Sequence, residues 1–417
     1  MSRFIQLHVL TSYPPSNLNR DEQGRPKSAV VGGVSRLRVS SQSLKRAWRT
    51  SELFRQELGE EPVRSAETRD KMLGTRTKSL GIEIFKQLLG LEDITIEVVN
   101  QINSPEIKRA YQAARAIANQ FGALEAQYPP KKKGDEVESG VDDASKDVGT
   151  AEDANAKKLK ALRKSLCTGQ LFHLSPVEIS NVDALVANLK SERRMPEKDD
   201  LNLLRKEHHS VDISLFGRML ADEPGFNMEA AIQVAHAFTV HKAGVEGDYF
   251  TAVDDLKPRD EDLGAAHIGE TGFGAGIFYL YICINRDLLD KNLGDDSGLR
   301  SRTMAALLHA VAKISPTGKQ NSFASRAHAS CVWAEKGDQQ PRSLSLAFLK
   351  PVVNRNEQED MAGLSIQALQ RKRDSLAEMY GDPCIDWRVA VEGEYKPLIP
   401  AGKAVSLQEL ITFVQAD

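Results

Sequence analysis

The sequence predicts an α+β fold in which strands flank a helical insertion. Strand-period alternation opens the chain at residues 3–11 and again at 36–40. Helical patterning dominates residues 60–128 and 157–206. Strand patterning returns from residue 211 and culminates in Ile277-Phe278-Tyr279-Leu280-Tyr281-Ile282-Cys283-Ile284, apolar enough for a strand buried on both faces. This order of elements fits several α+β architectures and does not by itself select a function.

Each element has its own local reason. Residues 3–11 place Ile5, Leu7 and Val9 on one strand face and Phe4, Gln6 and His8 on the other. His8 reads as a groove-lining or structural residue. Residues 13–33 hold Pro14-Pro15, Asn17, Asn19, Gly24 and Pro26 and read as a long loop, which Arg20, Arg25 and Lys27 would close over a ligand. The strand at 36–40 runs into a helix capped by Ser40 or Ser41. Helices are predicted at 77–89 and 106–126, and Ser175-Pro176-Val177-Glu178 resembles a helix start. Residues 131–158 hold no aromatic residue and few aliphatic ones, so the segment is predicted to be disordered or a solvated excursion. Residues 211–219 alternate as a strand leading into a Gly217 turn, and 231–241 favour strand over helix. Residues 244–276 form a long Gly-rich, acidic excursion. A helix at 301–314, strands at 329–334 and 344–349, and helices at 364–380 and 407–414 complete the chain.

Composition narrows the class. At 417 residues the chain can form two or more compact units, and 41% hydrophobic with 27% charged residues is ordinary for a globular protein. No apolar run is long enough to span a bilayer, and the N-terminus lacks a signal-peptide pattern. Cys167, Cys283, Cys331 and Cys384 are scattered without CxxC or zinc spacing, which suits buried thiols in a reducing cytoplasm. A cytoplasmic protein with no membrane partner is therefore expected.

Charge is the most informative feature. Residues 1–49 hold nine Lys/Arg against Asp21 and Glu22, a net +7 in a chain whose total is −3. Such localisation is the footprint of a polyanion partner rather than of a generally sticky surface. Along the helix that begins near Ser41, the apolar Leu44, Ala47, Trp48, Phe54 and Leu58 share one side with Ser51. Gln42, Lys45, Arg46 and Arg49 lie opposite, within an arc of roughly 100°. Arg36, Arg38 and Ser40 extend the cationic face along the preceding strand, and no acid falls between Arg36 and Arg49. Cations beside the open N–H groups of a helix start suit phosphates.

No catalytic set emerges. His208-His209, His236, His241 and His267 lie near Asp212, Asp248, Asp254 and Asp255 without the spacing of a metal site. The glycines of 269–276 match neither GxGxxG nor GKS, and no nucleophile–base pair appears. No catalytic residue, metal or cofactor is predicted. Two further spots read as strand readers. Gly318-Lys319-Gln320-Asn321 forms a tight polar loop able to bond phosphate or sugar oxygens. Met219, at the Gly217-Arg218-Met219 turn, could act as an apolar wedge between bases.

Several ordered motifs resemble the CasC family, the backbone subunit of the type I-E CRISPR surveillance complex Cascade. They are Ile5-Gln6-Leu7-His8-Val9-Leu10, Asn17-Leu18-Asn19-Arg20-Asp21, Gly32-Gly33 and Arg38-Val39-Ser40-Ser41-Gln42-Ser43-Leu44-Lys45-Arg46-Ala47, then 211–219, 235–256, 266–285 and 318–320. The resemblance skips roughly residues 60–205. It implies an RRM-like (ferredoxin-like) palm with an antiparallel sheet, formed by 1–58 and 207–417. It further implies a helical finger at 59–206 and a thumb at 243–276 projecting from the palm. As RNA contacts it implies Arg20, Lys27, Ser40, Gln42, Lys45, Arg49, Lys319 and Gln320, to which the helix face adds Arg46. Met219, with Phe250 and Thr251 on the thumb, is implied as the base-displacing wedge. Arg49 stands where the family pattern has lysine, and Asn321 where it has arginine.

The function implied is a non-enzymatic scaffold that binds guide CRISPR RNA. Copies would assemble head to tail along the spacer and present it to target DNA, alongside other Cascade subunits. Backbone contacts grip any sequence and leave base edges free for pairing, as a guide binder requires. Two rivals remain. An RNA-processing nuclease would need a converging set that includes His8 or Asp255, and a single-copy RNA or ssDNA binder would not form a ladder on RNA.

Overall fold

In a computed structural model, which describes residues 2–59, 72–129, 151–207, 210–252, 267–356 and 359–416, the chain opens on β1 (Phe4–Ser16). A hairpin follows, β2 (Ser28–Val31) and β3 (Val34–Val39), turned by Gly32 and Gly33 with φ of 61° and 80°. Next come α1 (Ser41–Arg49) and α2 (Glu52–Glu57), each capped by a serine, Ser40 and Ser51, whose hydroxyl accepts an N–H of the first turn.

The chain then enters a second compact unit, Ser65–Ala230. It contains β4 (Thr75–Thr77), α3 (Leu80–Leu89), α4 (Ile96–Asn100), α5 (Pro105–Ala118), α6 (Ala151–Ser165), β5 (Phe172–Leu174), α7 (Pro176–Glu192) and α8 (Val211–Phe216). Its own core gathers Phe85, Ala114, Ile117, Leu162 and Leu166, all fully buried. The helix start at Ser175 is a capping box: Glu178 N–H bonds the Ser175 hydroxyl, and the Glu178 carboxylate returns to Ser175 N–H.

The remainder, Ala231–Asp417, rejoins Met1–Arg64 as the first unit. It adds β6 (Ile232–Val234), β7 (Ala237–Thr239), β8 (Glu246–Ala252), β9 (His267–Asn285), α9 (Arg286–Asn292), α10 (Ser297–Lys313), α11 (Gln320–Phe323), β10 (Ala329–Gly337), α12 (Met361–Tyr380), β11 (Asp386–Val391), β12 (Ala404–Val405) and α13 (Leu407–Gln415).

The first unit is built on one sheet in the order β12-β11-β10-β1-β9-β7-β3-β2. Its four core strands β1, β7, β9 and β10 are all paired antiparallel. In chain order they stand 4-1-3-2 across the sheet, with α1 and α10 in the two connections, which is the ferredoxin-like arrangement of an RRM. Strand β1 occupies the middle, and its alternation is real although both faces are covered. Ile5, Leu7 and Val9 are 0–1% exposed on one face, each worth about 1.5–3 kcal/mol of transfer free energy. Gln6, His8 and Leu10 are buried on the other, where Tyr279, Trp333, Ile366 and Leu369 pack.

Several expectations need correction. Residues 211–219 are not a strand, because α8 is a short helix lying wholly inside its unit. Asp212 is fully buried there, and its carboxylate accepts from Gly74 N at 2.8 Å and Ser210 Oγ at 2.9 Å, with His173 Nε2 2.9 Å away. Polar Asp212 and Ser214 are as buried as Val211, Ile213 and Leu215, so alternation carried no information about faces. Residues 207–230 accordingly belong with the helical unit rather than with the sheet. Residues 344–349 form a turn of 3-10 helix, Ser345–Phe348, that buries Leu344 and Phe348 and exposes Leu346 and Leu349. Of the segment 131–158, residues 131–150 lie outside the described residues, and 151–158 are the first turns of α6 rather than disordered. The loop expected at 13–33 is shorter: β1 continues to Ser16, and β2 occupies Ser28–Val31. The excursion at 244–276 is framed as a hairpin, β8 against the first half of β9, with 253–266 outside the described residues. No described helix is long and apolar enough to cross a membrane.

Candidate nucleic-acid interface

The start of α1 is held from three directions. Ser40 N–H donates to Asn19 Oδ1 and Ser41 N–H to His236 Nδ1, both at 2.9 Å. The Ser40 hydroxyl accepts from Ser43 N–H, so Ser40, expected as an RNA contact, serves as the buried helix cap. Lys27 N–H bonds Asn19 O, and Arg38 N–H bonds Lys27 O, each at 2.8 Å. These bonds set the backbones of Lys27 and Arg38 beside the helix start. Their charges converge there. His236 is held below its ordinary pKa first by partial burial and then by Arg38, Lys27 and Lys45. Gln42 and Arg46 are exposed on α1, while Lys45 and Arg49 are half-buried.

Arg36 departs from the cationic strand face expected of it. It is fully buried and donates to Thr239 O and Phe348 O, both at 2.9 Å. The 3-10 turn at Ser345–Phe348 supplies the second acceptor and covers that side of β3. Arg38, two residues on, stays half-exposed and joins the cluster.

Residues Asn17-Leu18-Asn19 form the hub that brings the loops to this corner. Asn17 Nδ2 donates to Gly24 O and to Gly272 O of β9, each at 2.9 Å. Asp21 Oδ1 accepts from Gln23 N–H and Arg25 N–H, folding a tight turn that leaves Arg20 exposed. Gly318 lies so close that a Cβ there would meet Leu18 O at 2.3 Å and Asn17 O at 2.6 Å. Only glycine permits that approach, and it carries Lys319 to the same corner. Lys319 adopts the left-handed conformation, φ 45°, and its ammonium donates to Thr271 Oγ1 of β9. Gln320 turns inward instead. Its Nε2 donates to Pro316 O at 2.8 Å and Ser325 Oγ at 3.3 Å, so the amide nitrogen holds its own loop.

Thus Lys27, Gln42, Lys45, Arg46 and Arg49 lie on or beside α1, while Arg20 and Lys319 reach the same corner through the hub. Arg38 and His236 join them although neither was among the expected contacts. Arg38 was visible in the strand alternation, whereas His236 carried no sequence signal beyond its residue type.

The expected wedge residues are split between the units. Met219 belongs to the second unit and is 76% exposed. Its neighbours fix it: Arg218 is buried in a bidentate pair with Glu178 at 2.8 and 2.9 Å, and Leu220 is 3% exposed. Phe250 and Thr251 lie on β8 of the first unit. Phe250 is 45% exposed, and its ring covers Gly269 on the paired strand, where a Cβ would fall within 2.4 Å of it. Tyr249, which carried no sequence signal for this role, is more exposed still at 64%.

The residues that a nuclease would need are placed differently. His8 is fully buried, with Nδ1 2.9 Å from Tyr279 Oη and Nε2 3.4 Å from Glu335. Asp255 lies outside the described residues. Among the described residues no three His, Cys, Asp or Glu side chains gather as metal ligands.

Comparison with known proteins places the whole chain. A structure described as "CRISPR RNA-guided surveillance complex, pre-nicking" contains a chain similar over 99% of this one and 100% of its own length, at TM-score 0.69 and 27% identity. A second, "CRISPR RNA-guided surveillance complex", is similar in fold over 98% of this chain and 99% of its own, at TM-score 0.61 and 23% identity. No curated protein matches in sequence. The sequence model of the family described as CT1975-like protein matches residues 5–412, and the protein belongs to that family.

Proposed function

We propose that this protein is a guide-RNA-binding backbone subunit of a CRISPR surveillance complex of the type I-E Cascade kind. The observation that carries the proposal is that backbone hydrogen bonds hold Lys27 and Arg38 beside the start of α1, the helix that bears Lys45, Arg46 and Arg49. A cluster of like positive charges is relieved by a phosphate chain laid across it. The similarity to a chain of an RNA-guided complex supports guide RNA as that polyanion. In this reading the protein is a scaffold rather than an enzyme. Copies pack head to tail through contacts that do not close into a ring, and so follow the guide as a helical filament. Backbone contacts hold the guide while its base edges pair with target DNA.

The test is to purify the complex from cells expressing the chain with its neighbouring genes and a guide, then measure mass and RNA content. Several copies per guide, rising with spacer length, are expected. A single copy per RNA, or protein free of RNA, overturns the assembly. Cleavage of guide precursors by the isolated chain overturns the scaffold role.

A further inference from the structure

We propose that His236 is a neutral hydrogen-bond donor to the ribose–phosphate backbone of the guide, a contact that rests on the RNA-binding reading above. His236 sits in the break between β6 and β7, where Ala235 N–H bonds Tyr281 O and fixes the chain. The residue is exposed, yet its ring is not free to turn. Ser41 N–H, at the first turn of α1, donates to Nδ1 at 2.9 Å. An N–H can only point at a lone pair, so the ring proton resides on Nε2. The imidazole thereby caps the helix with one nitrogen and offers an N–H with the other.

The groups that face the ring make this state durable. Arg38 comes from β3, Lys27 from the loop before β2, and Lys45 from α1. All three are cations and oppose a second proton. A second proton would also fall on Nδ1 and meet the Ser41 N–H head on. His236 therefore stays an uncharged donor in the middle of a cationic corner, and an oxygen of a nucleic-acid backbone is the acceptor that such a corner draws in. The three cations supply long-range attraction, while the imidazole supplies direction.

Counterion release separates a neutral donor from the lysines around it. Removing a cation from a single-strand site lowers the log–log salt slope of binding by about 0.7, whereas removing a neutral donor leaves the slope unchanged. The variants are His236→Asn and His236→Gln. Asparagine keeps an oxygen near the Nδ1 position to accept from Ser41 and lacks the outward donor. Glutamine places an amide nitrogen near Nε2. His236→Asn should melt like the wild type and bind guide RNA roughly three- to tenfold more weakly at every salt concentration, with the wild-type slope. His236→Gln should recover most of the loss. Nitrogen-15 spectra of the free protein should show the Nε2–H tautomer. Unchanged affinity in His236→Asn, a reduced salt slope, or an Nδ1–H tautomer would each overturn the assignment. Wild-type protein that binds no guide RNA at any salt would overturn the underlying reading as well, and is recognisable because it precedes any comparison of variants.

Discussion

Two clusters of charge sit on the sheet of the first unit, and they are opposites. The first surrounds Glu335, which is fully buried on β10. Its carboxylate accepts from Arg373 Nε at 2.7 Å and Arg342 Nη1 at 2.6 Å, with His8 alongside. Arg373 reaches on to Asp382, and Tyr281 donates to Gln6 at 2.9 Å. Opposite charges here face one another out of water. The second cluster gathers Lys27, Arg38 and Lys45 at the start of α1, like charges at a half-open corner. One arrangement balances opposite charges, and the other brings like charges together. Buried pairs of opposite charge specify a fold, while like charges gathered at one corner favour a partner of the opposite sign.

Breaking the closed cluster should have the largest effect. Glu335→Ala leaves Arg342 and Arg373 facing a buried gap, and loss of one partner of a buried pair costs about 3–5 kcal/mol. Urea unfolding should show that loss, while the salt slope of RNA binding by the folded fraction stays as in the wild type. A variant as stable as the parent would mean that the cluster does not hold the sheet together.

Arg36 and Arg38 sharpen the comparison within one strand. Arg36→Ala strips partners from Thr239 O and Phe348 O, and should cost about 1–3 kcal/mol without altering the salt slope. Arg38→Ala should do the reverse, leaving the melt intact and lowering the slope. If both variants act alike, burial is not what divides the two residues.

Acid should loosen the closed cluster as well. Burial lowers the His8 pKa below 6.5 despite the opposing pull of Glu335. The unfolded chain thus takes up a proton that folded His8 refuses. That contribution is complete above pH 6.5 and fades as pH falls toward the folded value. For Glu335, burial alone would raise the pKa, but His8 and Arg342 outweigh it and hold the carboxyl well below its usual range. Its contribution has the same sign and is lost at still lower pH. Urea midpoints should therefore drop between pH 7 and pH 5, and His8→Asn should flatten part of that slope. His236 and His309, lowered by burial and nearby charge, contribute in the same direction.

The contrast also shows what could be read without coordinates. The helix start at Ser41 and its two faces were legible, because a serine cap, an apolar stripe and a cationic stripe are all local signals, but the break at Ser51, which caps α2 and was read as part of the stripe, was not. The strands of the sheet were legible where one face differed from the other. Residues 211–215 were not, since every side chain there is buried and Asp212 is satisfied by Gly74, far away in sequence. Arg36 failed for a similar reason. Its acceptors come from residues 239 and 348, and nothing near it in sequence announces a covering turn. The β11 and β12 strands were missed because they are short and lie at one edge of the sheet, where pairing rather than pattern defines them.

The cationic corner should respond chiefly in affinity. Lys45→Ala combined with Arg49→Ala should lower the log–log salt slope of guide binding by about 0.7 for each phosphate no longer neutralised. Leu44, Ala47 and Trp48 would still anchor α1, so the loss in the melt should be small beside that of Glu335→Ala. An unchanged salt slope would make this helix face ordinary solvated surface.

The smallest effect on stability, and the narrowest on function, belongs to Met219. Its side chain is 76% exposed, so removing it should change stability by no more than about 0.5 kcal/mol. Its backbone is held between buried Arg218 and Leu220, which keeps an apolar tip in water at a fixed place. Phe250 is a second apolar tip, braced on Gly269 across the β8–β9 hairpin. In a filament along the guide, each copy would bring such tips to the RNA at a regular interval. Wedging a base out of the stack costs a few kcal/mol, repaid by contacts to the splayed strand. Chemical probing of the bound guide should then show hyper-reactive nucleotides at a constant spacing. Met219→Ala should dim them, and with Phe250→Ala should abolish them, while target DNA binding weakens more than guide binding. Uniform reactivity along a wild-type spacer would mean that neither side chain displaces a base, and that the exposure of Met219 belongs to a contact of another kind.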